Sequence, residues 1–142
     1  MTSTTTPTRP STPKPLAAWH EVVRTGDLAP FEAVLAEDAV FQSPALHAPQ
    51  KGKAMVALYL RGAMMVLGNP TFHYVEEWVG PRSAVLEFET TLEGLVVNGV
   101  DILHWDEEDR VTNFRVMVRP YKALTALMAA MAKLLEAAKT GG

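Results

Sequence analysis

The stretch that decides the fold is Ala84-Val85-Leu86-Glu87-Phe88-Glu89-Thr90-Thr91-Leu92, then Glu93-Gly94, then Leu95-Val96-Val97-Asn98-Gly99-Val100-Asp101-Ile102-Leu103-His104-Trp105. Side chains alternate faces along a strand. In the first run Ala84, Leu86, Phe88, Thr90 and Leu92 share one face, with Glu87 and Glu89 on the other. That alternation reads as a half-buried strand, and Glu93-Gly94 as a hairpin turn. The second run is rich in β-branched and aromatic residues and reads as the partner strand. One of its faces carries Leu95, Val97, Gly99, Asp101, Leu103 and Trp105. A lone carboxylate in an apolar stripe is costly to bury unless it is paired, hydrogen-bonded, protonated or turned toward a cavity. Asp101 is therefore the first candidate functional residue. The plain alternative is a half-buried face on which Asp101 is solvated or pairs with an arginine.

Outward from this hairpin, Asp106 to Arg110 turns the chain and Val111 to Val118 forms a last strand with Phe114, Val116 and Val118 on its apolar face. Arg115 and Arg119 fall opposite, placed to answer Glu87 and Glu89 across strands. Pro120 opens a C-terminal helix in which Leu124, Leu127, Met128, Met131, Leu134 and Leu135 follow helical spacing. Upstream, Thr71 to Val79 reads as a strand ending at Gly80-Pro81. Gly52 to Leu67 reads as a helix with Met55, Leu58, Tyr59 and Met65 among its buried positions. Ala39-Val40-Phe41 is a short strand halted by Ser43-Pro44, and a loop runs on to Gln50. Pro15 begins a helix whose one face carries Leu16, Trp19, Val22 and Val23, with Gly26 as its C-cap. Asp27 reads as the N-cap of a second helix, in which Phe31, Val34 and Leu35 face the core. Helices first, a meander of antiparallel strands, then one more helix is an α+β layout: a curved sheet wrapped over the N-terminal helices.

The chain has 142 residues, 48% apolar and 20% charged, with no cysteine and a formal net charge of −3. These totals describe one globular domain, residues 15–139, after a Thr/Ser/Pro-rich tail over residues 1–14 that reads as disordered. The charge argues against nucleic acid and anionic membrane as partners. No apolar run reaches the ~18 residues of a membrane span. Without cysteine, thiolate chemistry and Cys-ligated zinc are excluded, and the composition fits the cytoplasm.

The order and spacing of these elements resemble the nuclear transport factor 2-like superfamily, and within it the SnoaL-like polyketide cyclase and ketosteroid isomerase branch. Three stretches carry the resemblance: Thr25-Gly26-Asp27-Leu28 running on to Ala36-Glu37-Asp38-Ala39-Val40-Phe41; Gly52-Lys53; and Val100 to Glu107 followed by Arg110-Val111. It covers Leu16 to Val118. It implies a cone, formed by a bent antiparallel sheet and three helices around an apolar pocket, usually in a dimer, and acid/base chemistry without a cofactor. Ketosteroid isomerases use an Asp base with a Tyr and a protonated Asp as oxyanion-hole donors. The resemblance puts the protonated Asp on Asp101. It puts the base on Ser43, where the isomerases have Asp before Pro, and the oxyanion Tyr on Trp19. A second pocket Tyr falls near Leu60, beside Tyr59. Serine does not abstract a carbon-bound proton unaided, so steroid isomerase activity of the usual kind is not expected. The Asp-Arg-Asp set of the superfamily's epoxide hydrolases and the Tyr and His constellation of its dehydratases are not found.

The resulting expectation is a pocket for a small, mainly apolar organic molecule: steroid-, terpenoid- or polyketide-like. Asp101 is its polar anchor, with Trp19, Ser43, Tyr59, Leu60, Leu86, Phe88, Leu103, Phe114, Val116 and Val118 as its walls. Trp19 is either core, by its spacing with Leu16 and Val23, or an N–H donor to Asp101 or the ligand. Ser43 reads as a turn residue rather than a nucleophile. Of His20, His47, His73 and His104, His47 after Pro44 is the one placed to overhang the pocket mouth as a base; no metal site is expected. The competing reading is a non-catalytic dimeric interaction module. It has its pocket packed solid by Trp19, Phe88 and methionines and an exposed apolar patch elsewhere.

Overall fold

The computed structural model describes residues 12–140, so the tail expected over residues 1–14 lies almost entirely outside the described residues; Lys14 already opens the first helix. The elements run α1 (Lys14–Thr25), α2 (Ala29–Glu32), β1 (Leu35–Gln42), β2 (Gln50–Lys51), α3 (Lys53–Leu67), β3 (His73–Val79), β4 (Ser83–Leu92), β5 (Leu95–Trp105), β6 (Val111–Arg119) and α4 (Tyr121–Thr140). The six strands form one curved, unclosed sheet in the order β2-β1-β6-β5-β4-β3. No helix among the described residues is long and apolar enough to cross a membrane.

The β4–β5 hairpin lies inside the sheet, between β6 and the edge strand β3. Its turn places Glu93 at φ 50° and Gly94 at φ 79°, the doubly left-handed geometry that lets a two-residue turn follow strand twist. From that turn the register runs unbroken from Leu92↔Leu95 to Ser83↔His104. Because the side-chain period is two, this fixes which face every residue takes. Ala84, Leu86, Phe88, Thr90, Val97, Gly99, Asp101, Leu103 and Trp105 all face inward and are buried. Gly99 has a steric reason to lack a side chain. A Cβ there would stand 2.5 Å from the Met117 carbonyl oxygen and 2.6 Å from Phe88 Cζ, so the Phe88 ring lies directly on the strand backbone.

β3, β4, β5 and β6 pair antiparallel in chain order, while β1 joins β6 parallel and β2 pairs antiparallel with β1. The parallel pairing claims residues that helical spacing had assigned to the second helix. Phe31, Val34 and Leu35 are all buried as expected. However, α2 ends at Glu32 and Leu35 pairs with Val111 in the sheet. Asp27 accepts a hydrogen bond from the Ala29 N–H one residue ahead of the helix cap. Gly26 ends α1 as expected, at φ 80° with its N–H on the Val22 carbonyl.

Two further expectations are corrected. In α3 the buried face is Val56, Ala57, Leu60 and Leu67, whereas Met55, Leu58 and Met65 are exposed and Tyr59 is half-buried. Its sequence is apolar almost all round, so periodicity alone does not select a face. Arg115 and Arg119 do not oppose Glu87 and Glu89, because β5 lies between β4 and β6. Arg115 instead donates to Gln42 on β1, and Glu87 accepts from Asn98. The C-terminal helix buries Ala123 and Leu127 and leaves Met128 exposed.

Candidate functional site

Asp101 sits mid-strand on β5, between Leu86 of β4 and Val116 of β6. Only 6% of it is exposed. Its partner comes from two strands away. The Tyr74 hydroxyl on β3 donates to Asp101 Oδ2 at 2.5 Å. Tyr74 in turn accepts the indole N–H of Trp19, on α1, at 2.7 Å. Trp19 is held edge-on against Phe31 and Phe114, each 4.9 Å away between ring centres, and Tyr74 stands edge-on to Phe72. A donor-only indole at one end and a carboxyl at the other fix the direction of this chain. The indole spends its proton on Tyr74 rather than on Asp101, so the expected Trp19–Asp101 contact becomes a relay.

Burial pushes the Asp101 carboxyl up to about 7, and the Tyr74 hydrogen bond, which favours the charged form, holds it from going higher. The same burial, followed by the charge of Asp101 and the shared hydrogen bond, raises the Tyr74 phenol well above its usual value. Tyr74 therefore stays protonated and donating across the working range, while Asp101 exchanges its proton near neutrality.

Asp101 also lines a cavity of about 530 Å³ between α1 and the turn after it, the C-terminal half of α3 and the segment that follows, and the sheet. Trp19, Leu60, Phe114 and Val116 are on its walls with Asp101. Its mouth is marked by exposed Val23, Asp27 and Met65. Arg61, also on the wall, is tied to Glu32 at 2.6 Å. Trp19, Met64 and Met65 line this space, and Phe88 does not. Leu86, Phe88 and Leu103 are fully buried and do not line it; Val118 is half-buried and also lies outside it.

Ser43 and Tyr59 fall elsewhere, on a second cavity of about 340 Å³ under α4. Ser43 Oγ accepts the backbone N–H groups of Ala45 and Leu46, as a turn residue does. His47 is exposed and lines neither cavity. His104 is exposed on the face opposite Asp101, and His20 is bonded to Glu77 at 2.6 Å, tying α1 to β3. Tyr74 was the residue that sequence reasoning missed. It was readable only as one position of a strand, and its signal is the inward register Tyr74↔Phe88, which appears once the sheet order is known.

The model of the SnoaL-like domain matches residues 16–114. The chain belongs to the SnoaL-like domain family. With it goes the nuclear transport factor 2-like superfamily, whose fold the curved sheet and C-terminal helix reproduce. This SnoaL-like domain is similar to the solved structure of a steroid delta-isomerase from Pseudomonas aeruginosa, with 33% identity, 89% of this chain and 92% of that one covered, and a TM-score of 0.84. It is also similar to a bacterial protein of cystatin-like fold from Silicibacter pomeroyi DSS-3, with 31% identity, 89% of each chain covered and a TM-score of 0.80. A nuclear transport factor 2-like protein from Mesorhizobium loti, at 17% identity and a TM-score of 0.64 with 79% of this chain and 98% of that one covered, shares the fold. Comparison with curated proteins gives no match.

Proposed function

We propose that residues 15–139 act as one domain that binds a small, mainly apolar ketone or phenol, steroid-, terpenoid- or polyketide-like, in the larger cavity. The single observation that carries this reading is a buried carboxyl, poised near neutrality, on the wall of an apolar cavity that side chains leave open. Tyr74 occupies Oδ2. A protonated Asp101 can then offer its remaining hydrogen-bonding capacity to a ligand oxygen. A donor in a desolvated site is worth most where negative charge develops on that oxygen. The reaction class that fits is cofactor-free acid/base rearrangement of an isomerase or cyclase kind, with Asp101 polarising a carbonyl. The likeness to a steroid delta-isomerase supports a polycyclic ketone as the first ligand to try. Ser43 lies on the other cavity, so the reading gives it no role as a base. His47 has none either.

The test is a thermal-shift screen at pH 6 against steroid, terpenoid and aromatic polyketide ketones, run beside Asp101→Leu. Ligands that bind the native state raise its apparent stability by mass action. A shift in the wild type that vanishes in Asp101→Leu supports the reading; no shift with any ketone refutes it.

The outer face of the sheet favours pairing with a second copy, in the cytoplasm. By register its acidic side carries Glu76, Glu87 and Glu89, its far side carries Arg115 and Arg119, and Val100, Ile102 and Met117 lie between. A two-fold axis through the apolar middle sets the acidic side of each copy over the basic side of the other. Sedimentation should give a dimer that Met117→Glu converts to monomer; a wild-type monomer would exclude pairing.

A further inference from the structure

The two cavities are neighbours. Ala63, Leu67 and Val116 line both of them. The Asp101 cavity and the space beneath α4 therefore adjoin along these three side chains. Both spaces also reach the surface through exposed apolar side chains. Met65 and Val23 rim the larger, and Leu46 and Met128 rim the smaller.

The chemistry of the two walls differs. The larger cavity has Asp101, Asp27, Arg61 and Asn69 on its surface. The smaller has only the hydroxyls of Ser43 and Tyr59 among apolar side chains, and Ser43 Oγ already accepts two backbone N–H groups. One end of the combined space can hold an oxygen function; the other favours hydrocarbon. Methionines line both spaces, Met64 and Met65 the larger and Met128 and Met131 the smaller, and unbranched thioether side chains repack readily around an irregular ligand.

We infer that the two cavities take two parts of one elongated ligand. An oxygenated ring system sits at Asp101, and an isoprenoid- or alkyl-type tail passes Leu67 and Val116 to lie beneath α4. The ligand class is thus a tailed polycyclic ketone rather than a compact one. The inference rests on the proposed binding at Asp101.

The experiment compares two steroid enones with the same rings: androst-4-en-3-one, which has no side chain, and cholest-4-en-3-one, which has an eight-carbon one. Affinities are measured for the full chain and for Ala45→Phe and Ala132→Phe, two changes that line only the smaller cavity. Burying one methylene tightens binding about fourfold, so partial burial of the tail should give the wild type at least about a tenfold preference for cholestenone. Both variants should lose that preference while binding androstenone as the wild type does. If androstenone binds but the tail brings no gain, or the gain survives both variants, the inference is overturned and binding at Asp101 stands. If neither steroid binds, the binding reading fails and the inference falls with it.

Discussion

Replacing Asp101 by Asn removes one titrating group from the interior and changes the shape of the side chain very little. The Asn carbonyl can still accept the Tyr74 hydroxyl, so the relay from Trp19 is kept. What disappears is the proton. In the unfolded chain the Asp101 carboxyl titrates at its ordinary value of 3.8, and in the folded protein at about 7. Below 3.8 both states hold the proton and the group contributes no pH dependence. Between the two values the folded state binds more protons than the unfolded one, so stability falls as pH rises. Above about 7 both states are ionised and the loss is complete. A displacement from 3.8 to about 7 corresponds to about 4 kcal/mol, which is a large share of the stability of a domain this size. The assay is urea unfolding of wild type and Asp101→Asn from pH 4 to pH 8.5. Subtracting the two curves cancels every other titrating group. The wild type should lose about 4 kcal/mol relative to the variant across this range, with most of the change between pH 4 and 7. A difference that stays flat with pH would refute the burial argument, because it would mean that Asp101 titrates alike in both states.

Three further outcomes follow from the same geometry. Tyr74→Phe removes the hydrogen bond that favours the Asp101 carboxylate. Stability at pH 5 should fall by about 1 kcal/mol, and the pH midpoint of the Asp101 effect should move upward, measured by repeating the urea series in this background. Asp101→Leu strands the Tyr74 hydroxyl, at a cost of about 1–3 kcal/mol, but also removes a buried charge; it should destabilise at pH 4 and be neutral or stabilising at pH 8.5. Gly99→Ala drives a methyl group into the Met117 carbonyl and the Phe88 ring. It should cost about 3 kcal/mol in urea unfolding, whereas Gly94→Ala, with open space around its Cβ, should suffer only the strain of its left-handed backbone.

The hairpin from Ala84 to Trp105 was legible because alternation is a local signal and Glu93-Gly94 closes it without outside help. That is why the inward placement of Asp101 could be read from the chain. Leu35 was misassigned because its burial is compatible with either a helix or a strand, and only Val111, far along the chain, decides between them. α3 hid its face because nearly every position is apolar. The ion pairs drawn from β6 to β4 failed for a topological reason: β5 stands between them. The site shows the same division. Asp101 and Trp19 could be singled out by residue type and spacing, and by resemblance. Tyr74 could not, because what makes it part of the site is that β3 lies at the sheet edge with Tyr74 turned inward, close enough for its hydroxyl to cross β4. Ser43 was placed by resemblance in the Asp101 pocket, but the structure puts it beyond Ala63, Leu67 and Val116, on the other cavity.

The most direct test of the central claim is the affinity of wild type and Asp101→Asn for androst-4-en-3-one, measured calorimetrically between pH 5.5 and 9. The account holds that the protonated carboxyl meets the ligand oxygen, so only the protonated fraction binds. Wild-type affinity should be constant well below pH 7 and weaken by about tenfold for each pH unit above it. Asp101→Asn should bind with no dependence on pH. An affinity equally independent of pH in both proteins would place the ligand away from Asp101 and contradict the account.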